Sequence, residues 1–191
     1  MEKHRCWGKV SPLMEKYHDE EWGIPLHDEK RLFEFLLLDG AQAGLSWNTI
    51  LNKRENFRSA LDNFDYSKIA QYDETKKTEL MANPGIIRNR LKIESFSTNA
   101  RAFMAIQKEF GSFDTYLWNF VNGVPIQNSW ISWSEVPAKS DLSERISKDL
   151  KKRGFKFIGA TIVYAFMQAI GMVNDHLDTC FRYEEIKNIG T

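Results

Sequence analysis

Two cysteines are all that this 191-residue chain contains, and they stand near its opposite ends, each with a histidine in its neighbourhood: Cys6 with His18, and Cys180 with His176. Two thiolates and two imidazoles make a Cys₂His₂ set of the kind that suits tetrahedral zinc. If the four meet, the fold must bring both ends of the chain together. His176 and Cys180 are four positions apart, which on a helix places them on one face. Cys6 and His18 are spaced too widely for a tight finger knuckle, so two other readings stand beside the metal. The cysteines can be small buried hydrophobes with the histidines at the surface, or they can form a disulfide. The charged start Met-Glu-Lys-His-Arg has no signal-peptide pattern, which favours a reducing cytoplasm over the disulfide.

Hydrophobic residues make up 42% of the chain, enough for a sizeable core, and no apolar run is long enough to cross a bilayer, so no membrane partner is expected. The 26 basic and 26 acidic side chains cancel. This balance argues against a nonspecific polyanion coat but leaves room for local basic patches. Three such patches occur: Lys151, Lys152, Arg153 and Lys156 around Gly154; Arg88, Arg90 and Lys92; and Lys53 with Arg54. A charge cluster by itself is ordinarily a solvated helix face.

The hydrophobic periodicity is helical nearly throughout, which predicts an all-α fold. Leu32, Phe33, Leu36 and Leu37 form a stripe that Gly40 is expected to end, and Ser46 is placed to cap a helix carrying Trp47, Ile50, Leu51 and Phe57. After the Pro84-Gly85 turn, Leu91, Phe96, Ala100 and Phe103 predict a long helix to Gly111. Ser112 and Ser140 are placed to cap two more. The stretch from Ala160 to Ile170 is apolar on almost all sides and is expected to be buried. Residues 124–139, with Trp130 and Trp133, read as irregular; the two tryptophans could line a binding channel or pack at an interface between lobes, packing being the preferred reading. No strand of useful length is predicted.

The segment from Asp39 to Trp47 sets an acid, two glycines, Leu45 and an aromatic between two helices. An aromatic face can stack on a base while a carboxylate reads its edge and favours a cationic form. Trp7, Tyr17 and Trp22 add flat side chains near the candidate metal ligands. Each of these aromatics also reads individually as an ordinary core residue.

Cys6-Trp7-Gly8, Tyr17-His18-Asp19-Glu20-Glu21-Trp22-Gly23-Ile24-Pro25, Gln42-Ala43-Gly44-Leu45-Ser46-Trp47, Lys53-Arg54-Glu55-Asn56, Gly85-Ile86-Ile87-Arg88, Asn99-Ala100-Arg101-Ala102, Lys152-Arg153-Gly154-Phe155-Lys156-Phe157 and Asn174-Asp175-His176 resemble the DNA-3-methyladenine glycosylase I family. The motifs run in consistent order from about residue 6 to about residue 181. The resemblance implies an all-helical helix-hairpin-helix DNA glycosylase that hydrolyses the bond between 3-methyladenine and deoxyribose. It implies one structural zinc ion, held by Cys6, His18, His176 and Cys180, joining the terminal segments. On this reading residues 1–191 form a single glycosylase unit with two approximate lobes, 26–155 carrying the hairpin and 1–25 with 156–191 linked through zinc.

The resemblance further implies Trp47, Trp7 and Tyr17 around the flipped base, with Asp39 and Tyr17 as the catalytic pair. Leu45 beside Gly44 would wedge into the vacated stack. A hairpin expected at 83–87 would offer backbone N–H groups, including that of Gly85, to a phosphate, supported by Arg88 and Arg90. The family carries Glu where this chain has Asp39, one methylene shorter. The expected partners are double-stranded DNA containing alkylated adenine, and free 3-methyladenine as product, with the protein a monomer. Asn89 occupies the position where bifunctional relatives carry a Schiff-base lysine, which predicts a monofunctional enzyme, although Lys92 lies close by. A noncatalytic damaged-DNA or nucleobase binder of the same fold is the competing reading.

Overall fold

The computed structural model describes residues 4–189. The chain is mostly helical, in the order α1 (Pro12–Glu20), α2 (Glu29–Gln42), α3 (Trp47–Ala60), α4 (Tyr66–Ile69), α5 (Glu74–Ala82), α6 (Arg90–Phe110), α7 (Phe113–Trp118), α8 (Asp141–Lys152), α9 (Ala160–Ala169) and α10 (Arg182–Ile189). The local start signals operate as their chemistry dictates. Ser46 accepts the Thr49 N–H, Ser112 accepts the Thr115 N–H, and Ser140 forms a reciprocal capping box with Ser143.

Helix α2 is central, packing against α3, α6, α7 and α9. Every residue from Leu32 to Ala41 is buried, Asp39 and Gly40 included. Gly40 therefore does not end this helix, which continues to Gln42. A Cβ at Gly40 would meet Phe157 at 3.4 Å, so the missing side chain lets α2 lie close to the turn before α9. The hydrophobic core is one cluster that draws on both segments assigned to the two lobes.

The long helix α6 departs from the expected stripe at one position. Leu91 is 66% exposed, whereas Ile93, Phe96, Ala100 and Phe103 are buried. Two residues separate Leu91 from Ile93, about 200° around the helix, so both cannot face inward. Among the described residues no strand of useful length appears, but two short ones do. Ile126–Gln127 (β1) and Val173–Asn174 (β2) pair in parallel. Two residues per strand are too few to leave a period-two signature in the sequence.

The N-terminal segment is sewn to the end of α9 by backbone hydrogen bonds from Gly23 N to Gln168 O (3.1 Å) and from Leu26 N to Ile170 O (3.0 Å). Gly171 makes this approach possible. Its φ is +69°, and a Cβ there would run into the backbone of Ile24 and Pro25. Gly171→Ala is expected to lower stability by about 2–3 kcal/mol, combining left-handed strain with a backbone clash. A urea titration reading this substitution as neutral would refute the close approach.

Candidate active site and metal cluster

The site is built where five parts of the chain converge. Trp7, Met14, Tyr17 and Trp22 come from the N-terminal segment, Asp39 and Gln42 from α2, Trp47 from the first residue of α3, Trp133 from the 124–139 stretch, and Ala165 and Gln168 from α9. They enclose a cavity of about 290 Å³, at the lower end of the small-ligand range. The rings interlock. Trp7 lies 6.2 Å from Tyr17 at 20° and 4.9 Å from Trp22 at 60°, and Trp47 lies 5.3 Å from Tyr17.

Among the described residues three buried polar side-chain atoms lack a partner, and two of them, Asp39 Oδ2 and Trp47 Nε1, belong to residues lining this cavity. The third, Arg182 Nε, lies at the start of α10. Buried unpaired polar atoms are costly, so such a pair in one cavity points to a ligand that satisfies them. Burial raises the Asp39 carboxyl well above the usual carboxylate range. Tyr17 is also raised, by burial first and by the Asp39 charge second, so its phenol stays protonated.

A larger open hollow of about 520 Å³, lined by Phe110, Tyr116 and α8 side chains, contains none of these unpartnered atoms and does not adjoin the aromatic cluster. The cavity that does adjoin it, about 210 Å³, shares Asp39, Gln42 and Ala165 and continues along Ala43, Gly44, Leu45, Thr161 and Ile162. Leu45 is 40% exposed on this rim, and Gly44 beside it has φ +77°. Lys92 fixes the same loop from beneath, its Nζ donating to Ala41 O (2.8 Å) and Ala43 O (2.7 Å). Asn89 is occupied as the cap of α6, its side chain accepting the Lys92 N–H.

Behind the pocket, Cys6, His18, His176 and Cys180 are all buried, with their ligand atoms within 4.8 Å of one another. Cys6 Sγ lies 3.4 Å from His176 Nδ1, and Cys180 Sγ lies 3.5 Å from both His18 Nε2 and His176 Nδ1. A tetrahedral ion with metal–sulfur and metal–nitrogen bonds of about 2.3 and 2.0 Å separates its sulfur and nitrogen ligands by about 3.5 Å, so the donor set fits a metal ion. The other imidazole nitrogens are held as metal-binding histidines require. His18 Nδ1 meets Asp19 Oδ1 at 2.9 Å, and His176 Nε2 meets Trp22 O at 3.1 Å. Both cysteines are free thiols, so the disulfide is ruled out. Without a cation the two sulfurs share protons unequally: their mutual hydrogen bond drives the Cys180 thiol far down, and the same bond and burial drive Cys6 up.

Contrary to the expectation from their spacing, His176 and Cys180 do not share a helix face. They lie in a nonhelical segment and a turn closed by Cys180 N to Leu177 O at 2.7 Å, before α10 begins. Trp130 is partly buried and hydrogen-bonds Asp175 Oδ1 at 2.8 Å, whereas Trp133 is not interior packing but lines the cavity. Gln42, which opens one of the motif segments, also lines the cavity, as do Gln168, Ala165 and Met14, which carried no sequence signal for a site.

The 83–87 turn between α5 and α6 differs from its expected role. The Gly85 N–H already donates to Asn83 Oδ1 at 2.8 Å, and Lys53 Nζ caps Pro84 O and Gly85 O, so Gly85 is not a free phosphate donor. Arg90 is paired with Glu94 at 2.8 Å, and Arg88 is exposed. The 153–159 turn, which joins the closely packed α8 and α9, is a different case. Asn99 clamps Lys156 through both backbone groups, at 2.8 and 3.1 Å, and Ser147 Oγ donates to Ile158 O. Helix α9 begins at Gly159 with no side-chain cap. Lys151, Lys152 and Lys156 are exposed around it and carry no ion pair among the described residues.

This is a helical protein with an aromatic cavity lined by an unsatisfied buried carboxyl and a Cys₂His₂ cluster beside it. The chain belongs to the methyladenine glycosylase family, whose sequence model matches residues 7–183. It is 47% identical over 180 residues to DNA-3-methyladenine glycosylase 1 of Escherichia coli (strain K12), covering 94% of this chain and 96% of the relative. A crystal structure of a 3-methyladenine DNA glycosylase I superposes with a TM-score of 0.90 at 47% identity, covering 93% of this chain and 98% of the other. A tyrosine-to-phenylalanine variant of such an enzyme, in complex with 3-methyladenine, superposes with a TM-score of 0.91 at 37% identity, covering 93% and 96%.

Proposed function

We propose that this protein is a monofunctional DNA glycosylase that excises 3-methyladenine from alkylated double-stranded DNA by hydrolysing the N-glycosidic bond, as a first step of base excision repair. The observation that carries this reading is the unpartnered Asp39 carboxyl buried among Trp7, Tyr17 and Trp47. Methylation at N3 makes the base cationic. A cation that enters the cavity takes the place of the proton that burial keeps on Asp39, which passes to solvent, and becomes the counter-charge of the carboxylate, while Trp47 and Trp7 contact its faces. Normal adenine carries no such charge, so it gains less from the same walls.

The flipped base occupies the aromatic cavity, and the sugar occupies the adjoining one, so the scissile bond passes Asp39 and Gln42, which both cavities share. As that bond breaks, its electron pair neutralises the departing base, and a water oxygen adds to the oxocarbenium-like sugar and releases a proton to solvent. Asp39 stabilises positive charge as it moves toward the sugar, with Tyr17 as a neutral hydrogen-bond donor beside it. No covalent enzyme intermediate is needed: Lys92, the nearest lysine by sequence to the Schiff-base position, spends its donors on Ala41 and Ala43.

The double-stranded DNA backbone approaches the 153–159 hairpin, where uncapped N–H groups of α9 and the surrounding lysines supply phosphate donors, and Leu45 fills the gap left by the base. The helix-hairpin-helix unit on this reading is α8, the 153–159 turn and α9. Zinc is the ion that suits the Cys₂His₂ cluster, as a closed, structural site with no open position for water.

Incubation with duplex DNA treated with a methylating agent is expected to release free 3-methyladenine, with no borohydride-stable enzyme–DNA adduct. Tight binding of the methylated duplex without release would make the protein a noncatalytic damaged-base binder instead.

A further inference from the structure

One aromatic wall of the pocket comes from the irregular stretch between α7 and α8. Trp133 sits in a single helical turn, Trp133–Glu135, on the strap between α7 and α8. Its ring is set edge-on to Trp7 at 6.2 Å and tilted against Trp22 at 6.0 Å, and its side chain lines the aromatic cavity while remaining 43% exposed. A core-packing tryptophan would be buried. One that keeps nearly half its surface open at the mouth of a ligand cavity has apolar area in reserve for the ligand.

The strap that carries Trp133 is held rigidly. Its first residues pair with β2, and Asn128 Nδ2 and Trp130 Nε1 both donate to Asp175 Oδ1, at 2.7 and 2.8 Å. The second Asp175 oxygen accepts Tyr164 and Gln168, so this fully buried carboxylate is saturated by four donors. Asp178 N returns to Trp130 O at 3.0 Å, Ser129 reaches Asp178, and Ile131 N is fixed by Glu135. The strap is thus anchored on both sides of Asp175, and the ring is presented at the pocket mouth at little further entropic cost.

We propose that Trp133 is a base-contacting, specificity-determining residue: it forms the outer aromatic wall of the pocket, becomes buried when the base enters, and favours a flat cationic purine through its π-face. This inference rests on the functional reading above. A wall of equal bulk without a π-system would keep the shape and lose the preference for charge.

The test compares wild-type protein with Trp133→Leu and Trp133→Phe, measuring calorimetric affinity for 3-methyladenine as its N9-methylated cation and for neutral 9-methyladenine, and single-turnover release from methylated duplex. Trp133→Leu is expected to weaken binding of the cation about tenfold and to narrow its margin over 9-methyladenine, with the melting temperature unchanged because the side chain is half exposed. Trp133→Phe is expected to stay within about threefold of wild type. Wild-type binding that Trp133→Leu fully retains overturns the inference alone. A wild-type protein that takes up no 3-methyladenine sinks the functional reading and this inference together.

Discussion

Asp39→Asn is expected to lose at least a hundredfold in single-turnover release of 3-methyladenine, while melting several degrees above wild type at neutral pH. Both effects have one cause. Burial raises the Asp39 carboxyl well above its ordinary value, and no partner in the protein offsets the lost hydration. In the folded state the group holds a proton that the unfolded chain releases near pH 4. Stability is therefore greatest below the ordinary carboxylate pKa and falls as pH rises toward the raised folded value. Asparagine has the same shape without this liability. The gap in melting temperature should vanish below about pH 4 and widen toward neutrality, at about 2–4 °C per kcal/mol for a chain of this size.

The activity loss follows from the reverse side of the same site. A cationic base pairs with the carboxylate in a dry cavity, where the charge interaction is strong, and removing one preorganised group of this kind typically costs two to three orders of magnitude. Asp39→Glu keeps the charge and is expected to keep excision. Release within tenfold of wild type in Asp39→Asn, or a melting difference that does not change with pH, would remove Asp39 from the centre of the mechanism.

Cys180→Ser is expected to abolish metal binding, from one ion per chain to none by elemental mass spectrometry, and to lower stability by about 2–5 kcal/mol, or about 5–15 °C. The four ligands come from residues 6–18 and 176–180, so the ion closes nearly the whole chain into one loop. Loss of the ligand frees α1 and the turn before α10. Because Trp7 follows Cys6 and Tyr17 precedes His18, two pocket walls loosen with them. Base release should fall with the unfolding of this region and recover in part at low temperature. A lost rate at full thermal stability would instead place the ion in the chemistry, and metal-free wild-type protein of normal stability would return the cysteines to ordinary core packing.

The parts of the fold that were legible in the sequence are the ones whose physics is local. Ser46, Ser112 and Ser140 cap helices because a hydroxyl before an apolar run accepts an N–H three residues on, whatever the rest of the chain does. The apolar run from Ala160 became helix α9, which needs no side-chain cap and buries Val163, Tyr164, Phe166, Met167 and Ala169. The local signals failed where tertiary packing competed. Gly40 looked like a stop, but α2 continues through it to Gln42, with every residue from Leu32 to Ala41 packed inside. His176 and Cys180 have helical spacing, but they lie in a segment pinned by Asp175 and β2.

The candidate site divides along the same line. Residue chemistry and order marked Cys6, His18, His176, Cys180, Trp7, Tyr17, Asp39 and Trp47, because those residue types are suited to soft metals and to flat cations wherever they meet. Only the tertiary structure decided that they meet in two adjoining places. It added Trp133, Ala165 and Gln168 to the cavity, and left the start of α9 without a side-chain cap while the Gly85 N–H is spent on Asn83. Side-chain identity sets what a group can bind. Whether a buried carboxyl is left unpaired, or a tryptophan left half open, depends on neighbours a hundred residues away, and no local spacing encodes that.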